Sequence, residues 1–279
     1  MSMRSYCVMG NPVAHSKSPW IHARFAELTG QTLEYGRRLV RIGGFQESIQ
    51  AFRQEGGHGC NVTLPFKFEA AAFATNPTPR AELAQACNTL RFDDGVVFGD
   101  NTDGVGLVTD IVVNAGVPLE GRDLLLIGAG GAAAGVLGPL IAAKPRRILV
   151  ANRTPERAAI LIGRHTVLAR RHAVKVTAAG LDTVDGPFDV VINATASSLH
   201  QAAVPVHGNV LKPGALACDL MYGEPAQGFL DWAAEHGAVA RDGLGMLVEQ
   251  AAESFFIWRG VRPPSGQVLD ELRASMQGS

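Results

Sequence analysis

Hydrophobic and polar positions along this chain follow two different rhythms. Up to about residue 103, short strand-like runs alternate with amphipathic stretches. Tyr6 to Met9 reads as a strand closed by the turn "GNP". Pro19 to Thr29 carries Trp20, Ala23, Phe25, Ala26 and Leu28 at helical spacing. Ser18, just before Pro19, is the expected N-cap of that helix. "LEYGRRLVRI" predicts a second strand, and Phe45 to Glu55 an amphipathic helix stopped by Gly56-Gly57. "CNVTL" predicts a third strand, which Pro65 ends. "NTLRF" and "VVFGDNTD" predict a hairpin turning at Asp93-Asp94-Gly95.

Beyond Asp103 the rhythm changes. "VGLVTDIVVNAG" is helix-like throughout. The runs in "DLLLIGAGG", "RRILVANRT", "DVVINATAS" and "GALACDLMY" are almost continuously apolar, and helical stretches such as Pro155 to Arg171 separate them. Strands that are apolar on both faces predict a parallel sheet covered by helices on both sides. Two more helices close the chain, the first of them "GLGMLVEQAAESFFIWRG". The expected fold is α/β: an N-terminal α/β domain, a doubly wound Rossmann-type domain, and C-terminal helices that return to the first domain. The expected borders are 1–103 with 241–279 for one domain and 104–240 for the other.

Charge and cysteine usage remove several function classes. The formal net charge is −1 and no basic block stands out, which argues against nucleic acid. Cys7, Cys60, Cys87 and Cys218 are scattered, so neither a zinc site nor a disulfide framework is expected. Free buried thiols in a reducing cytosol fit that pattern. The N-terminus lacks an apolar signal core, and no apolar run approaches the roughly 20 residues that span a bilayer. The expected protein is cytoplasmic, with no metal, no membrane partner and a small-molecule substrate; monomer and homodimer both remain open.

The chemistry-bearing motif of the second half is "LLLIGAGGAAAG". It places Gly128 and Gly130 after a strand, with Ala133 at the third small position. The first glycine permits a tight turn, the second lets backbone approach a pyrophosphate, and the small third residue lets helix and strand pack closely. The helix start then offers free N–H groups to phosphate. A dinucleotide fold reads the ribose about 20 residues further on, at the end of the next strand. That end here is "ANRT". An acidic residue would accept from the 2′-OH of NAD. Asn152, Arg153, Thr154 and Arg157 instead offer donors and guanidinium groups suited to a 2′-phosphate. NADP is therefore expected over NAD.

In the first half, small polar residues gather near turns: Ser16 and Ser18, Asn61 and Thr63, Asn88 and Thr89, and Asn101, Thr102 and Asp103. Together they suit a ligand rich in hydroxyls. Lys67 follows the Pro65 turn, and a lysine there is most often a solvated charge. Paired with Asp103 in one cleft, it would instead exchange a proton with a substrate hydroxyl.

The blocks "GNPVAHSKSPWIH", "NVTLPFK", "NTL", "GDNTDGVG", "LIGAGGAAAG", "NRT", "INAT" and "DGLGMLVEQA" occur in this order. In them the chain resembles the shikimate dehydrogenase family from end to end. The resemblance implies reversible NADP-linked reduction of 3-dehydroshikimate to shikimate, a step toward chorismate and the aromatic amino acids. It implies Lys67 and Asp103 as the catalytic pair, and Ser16 and Ser18 on the substrate carboxylate. It implies Asn61, Thr63, Asn88, Asp103 and Gln250 on the ring hydroxyls, with Tyr222 close by. Gly128, Ala129, Gly130, Gly131 and Ala132 would hold the pyrophosphate, and Asn152, Arg153, Thr154 and Arg157 the 2′-phosphate. Thr195, Leu220 and Gly243 would line the nicotinamide side. Two departures stand out: "NATASSL" after Asn193, and an alanine at position 134 where many relatives carry a basic residue. Three other readings are set against this one. They are a quinate/shikimate or aminoshikimate dehydrogenase using NAD, a regulatory protein that has lost catalysis, and a subunit of a larger multidomain enzyme. "NRT" argues against the first, and Lys67 and Asp103 against the second. The start at Met1 and a set of motifs complete for one activity argue against the third.

Overall fold

The computed structural model describes residues 3–195 and 204–277. The chain divides into two compact units, Met1–Gly106 with Val248–Ser279, and Leu107–Leu247.

The first unit is built on a six-stranded mixed sheet. Its strands are β1 (Arg4–Gly10), β2 (Leu33–Leu39), β3 (Gly57–Val62), β4 (Asn76–Pro77), β5 (Thr89–Asp93) and β6 (Val96–Asp100), in the order β2-β1-β3-β5-β6-β4. The β2, β1 and β3 strands run parallel, whereas β5 is antiparallel to both β3 and β6. The expected hairpin is β5–β6. Asp93 pairs with Val96, which leaves Asp94-Gly95 as a two-residue turn, and Gly95 takes φ +73° there. The crossovers of the parallel part are helices α1 (Ser18–Leu28) and α2 (Phe45–Gln54). Two short helices, α3 (Lys67–Phe73) and α4 (Pro79–Ala84), lead to the hairpin. Met9, Phe45, Ile49, Cys60, Val62, Phe66 and Leu90 form the core of this unit.

Helix α5 (Asp103–Thr109) follows β6 and carries the chain into the second unit. There a six-stranded, wholly parallel sheet forms from β7 (Asp123–Ile127), β8 (Arg147–Ala151), β9 (Lys175–Ala179), β10 (Phe188–Asn193), β11 (Leu211–Asp219) and β12 (Val239–Arg241). The order is β12-β11-β10-β7-β8-β9, so the first strand of the unit is central and the direction of winding reverses between β7 and β10. That is the doubly wound Rossmann order. Leu124, Leu125, Leu126 and Ile127 of the central strand are all fully buried, which is why it reads as an uninterrupted apolar run. The helices are α6 (Gly131–Ala142), α7 (Pro155–Arg171) and α8 (Gln227–Glu235). Helix α9 (Leu244–Arg259) returns the chain to the first unit, where α10 (Ser265–Gln277) ends it.

Three local expectations change. Lys17, not Ser18, is the N-cap of α1, and no side chain caps it; the Ser18 N–H instead reaches Ser16 Oγ at 3.3 Å. The helix begins one residue early because Pro19 tolerates either of the first two helical positions. "VGLVTDIVVNAG" is not one regular helix: after α5 the backbone widens into a π turn, Asp110–Asn114. Asp110 is 2% exposed and receives Arg241 through Nε at 2.7 Å and Nη2 at 2.5 Å. The third predicted strand starts earlier and stops at Val62, so Thr63 and Leu64 lie in the turn that follows. No helix of the described residues is long and apolar enough to cross a membrane.

Candidate active site

Lys67 is the first residue of α3, and Asp103 the first residue of α5. Both helix starts abut strand ends of the first unit's sheet. Their side chains meet: Lys67 Nζ lies 2.6 Å from Asp103 Oδ2, with 15% and 6% of the side chains exposed. Pairing this far from solvent is specific geometry rather than a surface contact. The other carboxylate oxygen, Oδ1, accepts from Asn88 Nδ2 at 2.8 Å. The backbone N–H of Asp103 donates to Asn101 Oδ1 at 3.2 Å. The acid at the first turn of α5 also complements the helix dipole.

Asn88 is the hub of the cluster. Besides Asp103 it donates to Gln250 Oε1 (3.1 Å) and Thr102 Oγ1 (2.9 Å), and its own oxygen accepts from the Thr102 N–H (2.9 Å). Asn61, at the end of β3, donates to the Asn88 carbonyl, Thr89 Oγ1 and Ser254 Oγ, each at 3.1 Å. Tyr35 donates its hydroxyl to Asn61 Oδ1 at 2.7 Å. Burial holds the Tyr35 phenol well above its ordinary pKa, so it stays a donor. Asn61, Asn88, Asp103 and Gln250 are all at most 8% exposed. The structure thus brings Lys67, Asp103, Asn88, Gln250 and Asn61 into one hydrogen-bonded set.

Ser16, Ser18 and Thr63 have no hydrogen bond to Lys67 or Asp103 among the described residues. Ser16 sits in the loop after β1, where Arg37 donates to its carbonyl at 2.6 Å through Nη2. Thr63 packs its methyl where a Cβ on Gly10 would fall, 2.3 Å away, so only glycine at position 10 admits it. The sequence does not point to Tyr35 or Ser254, and it places Thr89 and Thr102 only in the general group of small polar residues near turns. Ser254 is the clearest case: it lies four residues after Gln250 on α9, hence on the same helix face, and is fully buried. That spacing was the available signal.

The second unit carries the glycine turn. Gly128 has φ +113°, and an added Cβ would stand 3.0 Å from the Ala194 carbonyl oxygen. Gly130 is the N-cap of α6, and a Cβ there would meet nothing within 4 Å. The first turn of α6, with Gly131 and Ala132, has no side-chain cap and no acidic residue. Its N–H groups are therefore open to an anion. Ala129 lies between the two glycines. Ala134 is 4% exposed, so no side chain reaches out from that position. At the end of β8, Asn152 Nδ2 donates to the Thr154 carbonyl at 2.8 Å and shapes the loop before Pro155. Arg153, Thr154 and Arg157 are exposed, and neither arginine has an ion-pair partner among the described residues. The donors and the open glycine fit a phosphorylated dinucleotide. Thr195 donates its hydroxyl to Asn193 Oδ1 (2.7 Å), and Leu220 donates its N–H to the Asn193 carbonyl (3.0 Å). Gly243 donates to the Met221 carbonyl at 2.8 Å, and a Cβ on it would lie 2.3 Å from the Leu220 carbonyl oxygen. Thr195, Leu220, Tyr222 and Gly243 thus gather near the carboxyl ends of β10 and β11. The part of "NATASSL" beyond Thr195 lies outside the described residues.

Known proteins match the chain along nearly its whole length. Residues 8–90 match the shikimate dehydrogenase substrate binding domain, residues 112–205 the shikimate/quinate 5-dehydrogenase family, and residues 243–273 the shikimate 5′-dehydrogenase C-terminal domain. A relative from an Acidovorax species, named shikimate dehydrogenase (NADP(+)), is 63% identical over 97% of this chain and 96% of its own. One of the same name from Methylibium petroleiphilum is 60% identical over 98% and 95%. Among solved structures, the Ael1 enzyme from Pseudomonas putida superposes with a TM-score of 0.87 at 42% identity, over 96% of this chain and 98% of its own. Shikimate 5-dehydrogenase from Thermus thermophilus, solved with NADP(H) and shikimate, gives 0.84 at 30% identity over 98% and 99%. With curated relatives at 60% identity or more along nearly its whole length, the chain belongs to the shikimate dehydrogenase family.

Proposed function

We propose that this chain is an NADP-dependent shikimate dehydrogenase that interconverts 3-dehydroshikimate and shikimate. The observation that carries the reading is the Lys67–Asp103 pair at 2.6 Å, with Asn88 on the second carboxylate oxygen. The names of relatives at 60% identity or more support the same substrate and cofactor.

NADP, when bound, supplies the hydride acceptor for shikimate oxidation and, as NADPH, the donor for the reverse reaction. The chain's own residues handle the proton and the geometry. In the reductive direction the Lys67 ammonium gives a proton from Nζ to the oxygen of the forming alcohol. In the oxidative direction the neutral amine takes that proton back. Asp103 holds the amine in place, and Asn88 holds Asp103. Asn61, Thr63, Asn88, Asp103 and Gln250 read the ring hydroxyls, and Ser16 and Ser18 take the carboxylate. Tyr222 adds a contact to the substrate. The unit of Met1–Gly106 and Val248–Ser279 holds the substrate, and Leu107–Leu247 the cofactor. Gly128 to Ala132 receive the pyrophosphate, Asn152 to Arg157 the 2′-phosphate, and Thr195, Leu220 and Gly243 the nicotinamide. The four cysteines are free and buried, which suits a cytosolic enzyme.

The test is a spectrophotometric assay with shikimate or quinate crossed against NADP or NAD. Turnover of shikimate with NADP is expected. Lys67→Ala should lose roughly 10²- to 10⁴-fold in kcat with shikimate still bound. Preference for quinate with NAD, or full activity in Lys67→Ala, would overturn the reading.

A further inference from the structure

The Lys67–Asp103 pair rests on a second, deeper ion pair. Asp100 ends β6, three residues before Asp103, and is 2% exposed. Arg80, near the start of α4, grips it with Nε on Oδ1 at 2.7 Å and Nη2 on Oδ2 at 2.5 Å. Thr78 Oγ1 adds a donor to Oδ1 at 2.6 Å, and the Asn101 N–H another at 2.7 Å. Among the described residues Arg80 is the one cation paired with Asp100. The same Nη2 also reaches Glu253 Oε1 at 3.0 Å. Glu253 sits on α9 three residues beyond Gln250 and next to Ser254, and Arg262 takes its other oxygen.

Each end of this network leads to a group of the candidate active site. The Asp100 carbonyl accepts from the Asn88 N–H at 3.0 Å, and the side chain of Asn88 touches both Asp103 and Gln250. The Asp100 carboxylate orders Asn101, whose Oδ1 receives the Asp103 N–H. We propose that Arg80 is a positioning residue for the reaction: through Asp100 it fixes the segment that carries Asp103, and through Glu253 the turn of α9 that carries Gln250.

The physics is that of a buried carboxylate. A carboxylate removed from water must be paired and fully hydrogen-bonded, and loss of its partner leaves a charge the interior does not tolerate. Without Arg80, the Asp100 carboxylate must turn toward water. That movement releases the Asn101 N–H and shifts the backbone between Asn88 and Asp103. A displacement well under an ångström at Asp103 or Gln250 spoils the alignment of hydroxyl and amine. Arg80 is itself no part of the hydrogen-bonded set around Lys67, so it acts through others. Lysine replaces it only in part, because a point charge cannot serve two carboxylate oxygens and a second acid at once.

This inference rests on the shikimate reading, and its test separates the two. Steady-state kinetics are measured for the wild type, Arg80→Gln, Arg80→Lys and the double variant Arg80→Gln/Asp100→Asn, varying shikimate and NADP in turn. Arg80→Gln is expected to lose about 10- to 100-fold in kcat/KM for shikimate, with KM for shikimate raised and KM for NADP within about twofold of wild type. Arg80→Lys should fall between the two. The double variant should regain part of the loss, because no uncompensated charge remains. If Arg80→Gln does not fold, the comparison of the double variant with Arg80→Lys reads the same effect. Unchanged kinetics for shikimate would overturn the proposal. So would a lower kcat with both Michaelis constants unchanged, which is the mark of a smaller folded fraction. Failure of the wild type to oxidise shikimate with NADP would instead overturn the activity on which the proposal rests.

Discussion

Acid should loosen the first unit through one histidine. His22 is fully buried on α1, and its ring stacks on Tyr35 at 4.3 Å between centroids with 7° between planes. Phe25, Phe255 and Trp258 surround it. Neither ring nitrogen has a hydrogen-bond partner among the described residues. Burial pushes its pKa down from 6.5 to about 3, against a smaller opposing pull from the nearby Asn61 side chain. The sign follows from the folded value lying below the unfolded one. The unfolded chain takes up a proton as pH drops through 6.5, while the folded chain stays neutral down to about 3. Stability is therefore full above pH 6.5 and is lost as pH falls across that window. At about 1.4 kcal/mol per pH unit, the loss attributable to His22 between pH 7 and pH 5 is about 2 kcal/mol.

The comparison is wild type against His22→Phe, which keeps an aromatic ring against Tyr35 and cannot titrate. Urea unfolding is followed at pH 5, 6, 7 and 8 by tryptophan fluorescence, to which Trp258, 5.3 Å from His22, contributes. Contributions from His58 and His165, also shifted down by burial, are common to both proteins and cancel. The wild type should lose about 2 kcal/mol more than the variant between pH 7 and pH 5. Parallel pH profiles for the two proteins would refute the argument. So would a His22 NMR titration near its ordinary value. The consequence reaches the site, because Tyr35 is the donor to Asn61.

Two further outcomes follow from the second unit. Arg153→Gln/Arg157→Gln should raise KM for NADP about 10- to 100-fold while leaving KM for shikimate alone, if the two proposed guanidinium–phosphate contacts are lost; an unchanged KM for NADP would sink that role. Gly245→Ala should lower stability by about 2 kcal/mol, measured by urea unfolding, because its Cβ would fall 1.8 Å from Asp110 Oδ1 and disturb the Asp110–Arg241 pair. An ordinary helical glycine would gain about 1 kcal/mol from the same change, so a more stable variant contradicts the packing argument.

Much of the fold is written locally. The buried parallel strands show as uninterrupted apolar runs because both of their faces are covered, as at Leu124 to Ile127. The β5–β6 turn is legible because only glycine sits easily at the φ of +73° that Gly95 adopts. The glycine turn before α6 is legible for a related reason: Gly128 takes φ +113° with the Ala194 carbonyl oxygen 3.0 Å from where a Cβ would stand, a place that favours a residue without a side chain. The π turn at Asp110 is not local. Its first residue is a buried aspartate that pairs with Arg241, far along the chain, and helical periodicity carries no trace of that pairing.

The site divides along the same line. Sequence by itself determined the residue types, since a lysine, a carboxylate and a set of small amides and hydroxyls stand in a recognisable order. Tertiary structure alone decided that Lys67 and Asp103 touch, because their strands and helices come together only when β3, β5 and β6 pair. It alone placed Tyr35, Ser254 and Arg80 behind them. Those residues matter through partners distant in the chain, and buried polar groups choose partners by what folding leaves within 3 Å or so of them, not by spacing along the sequence.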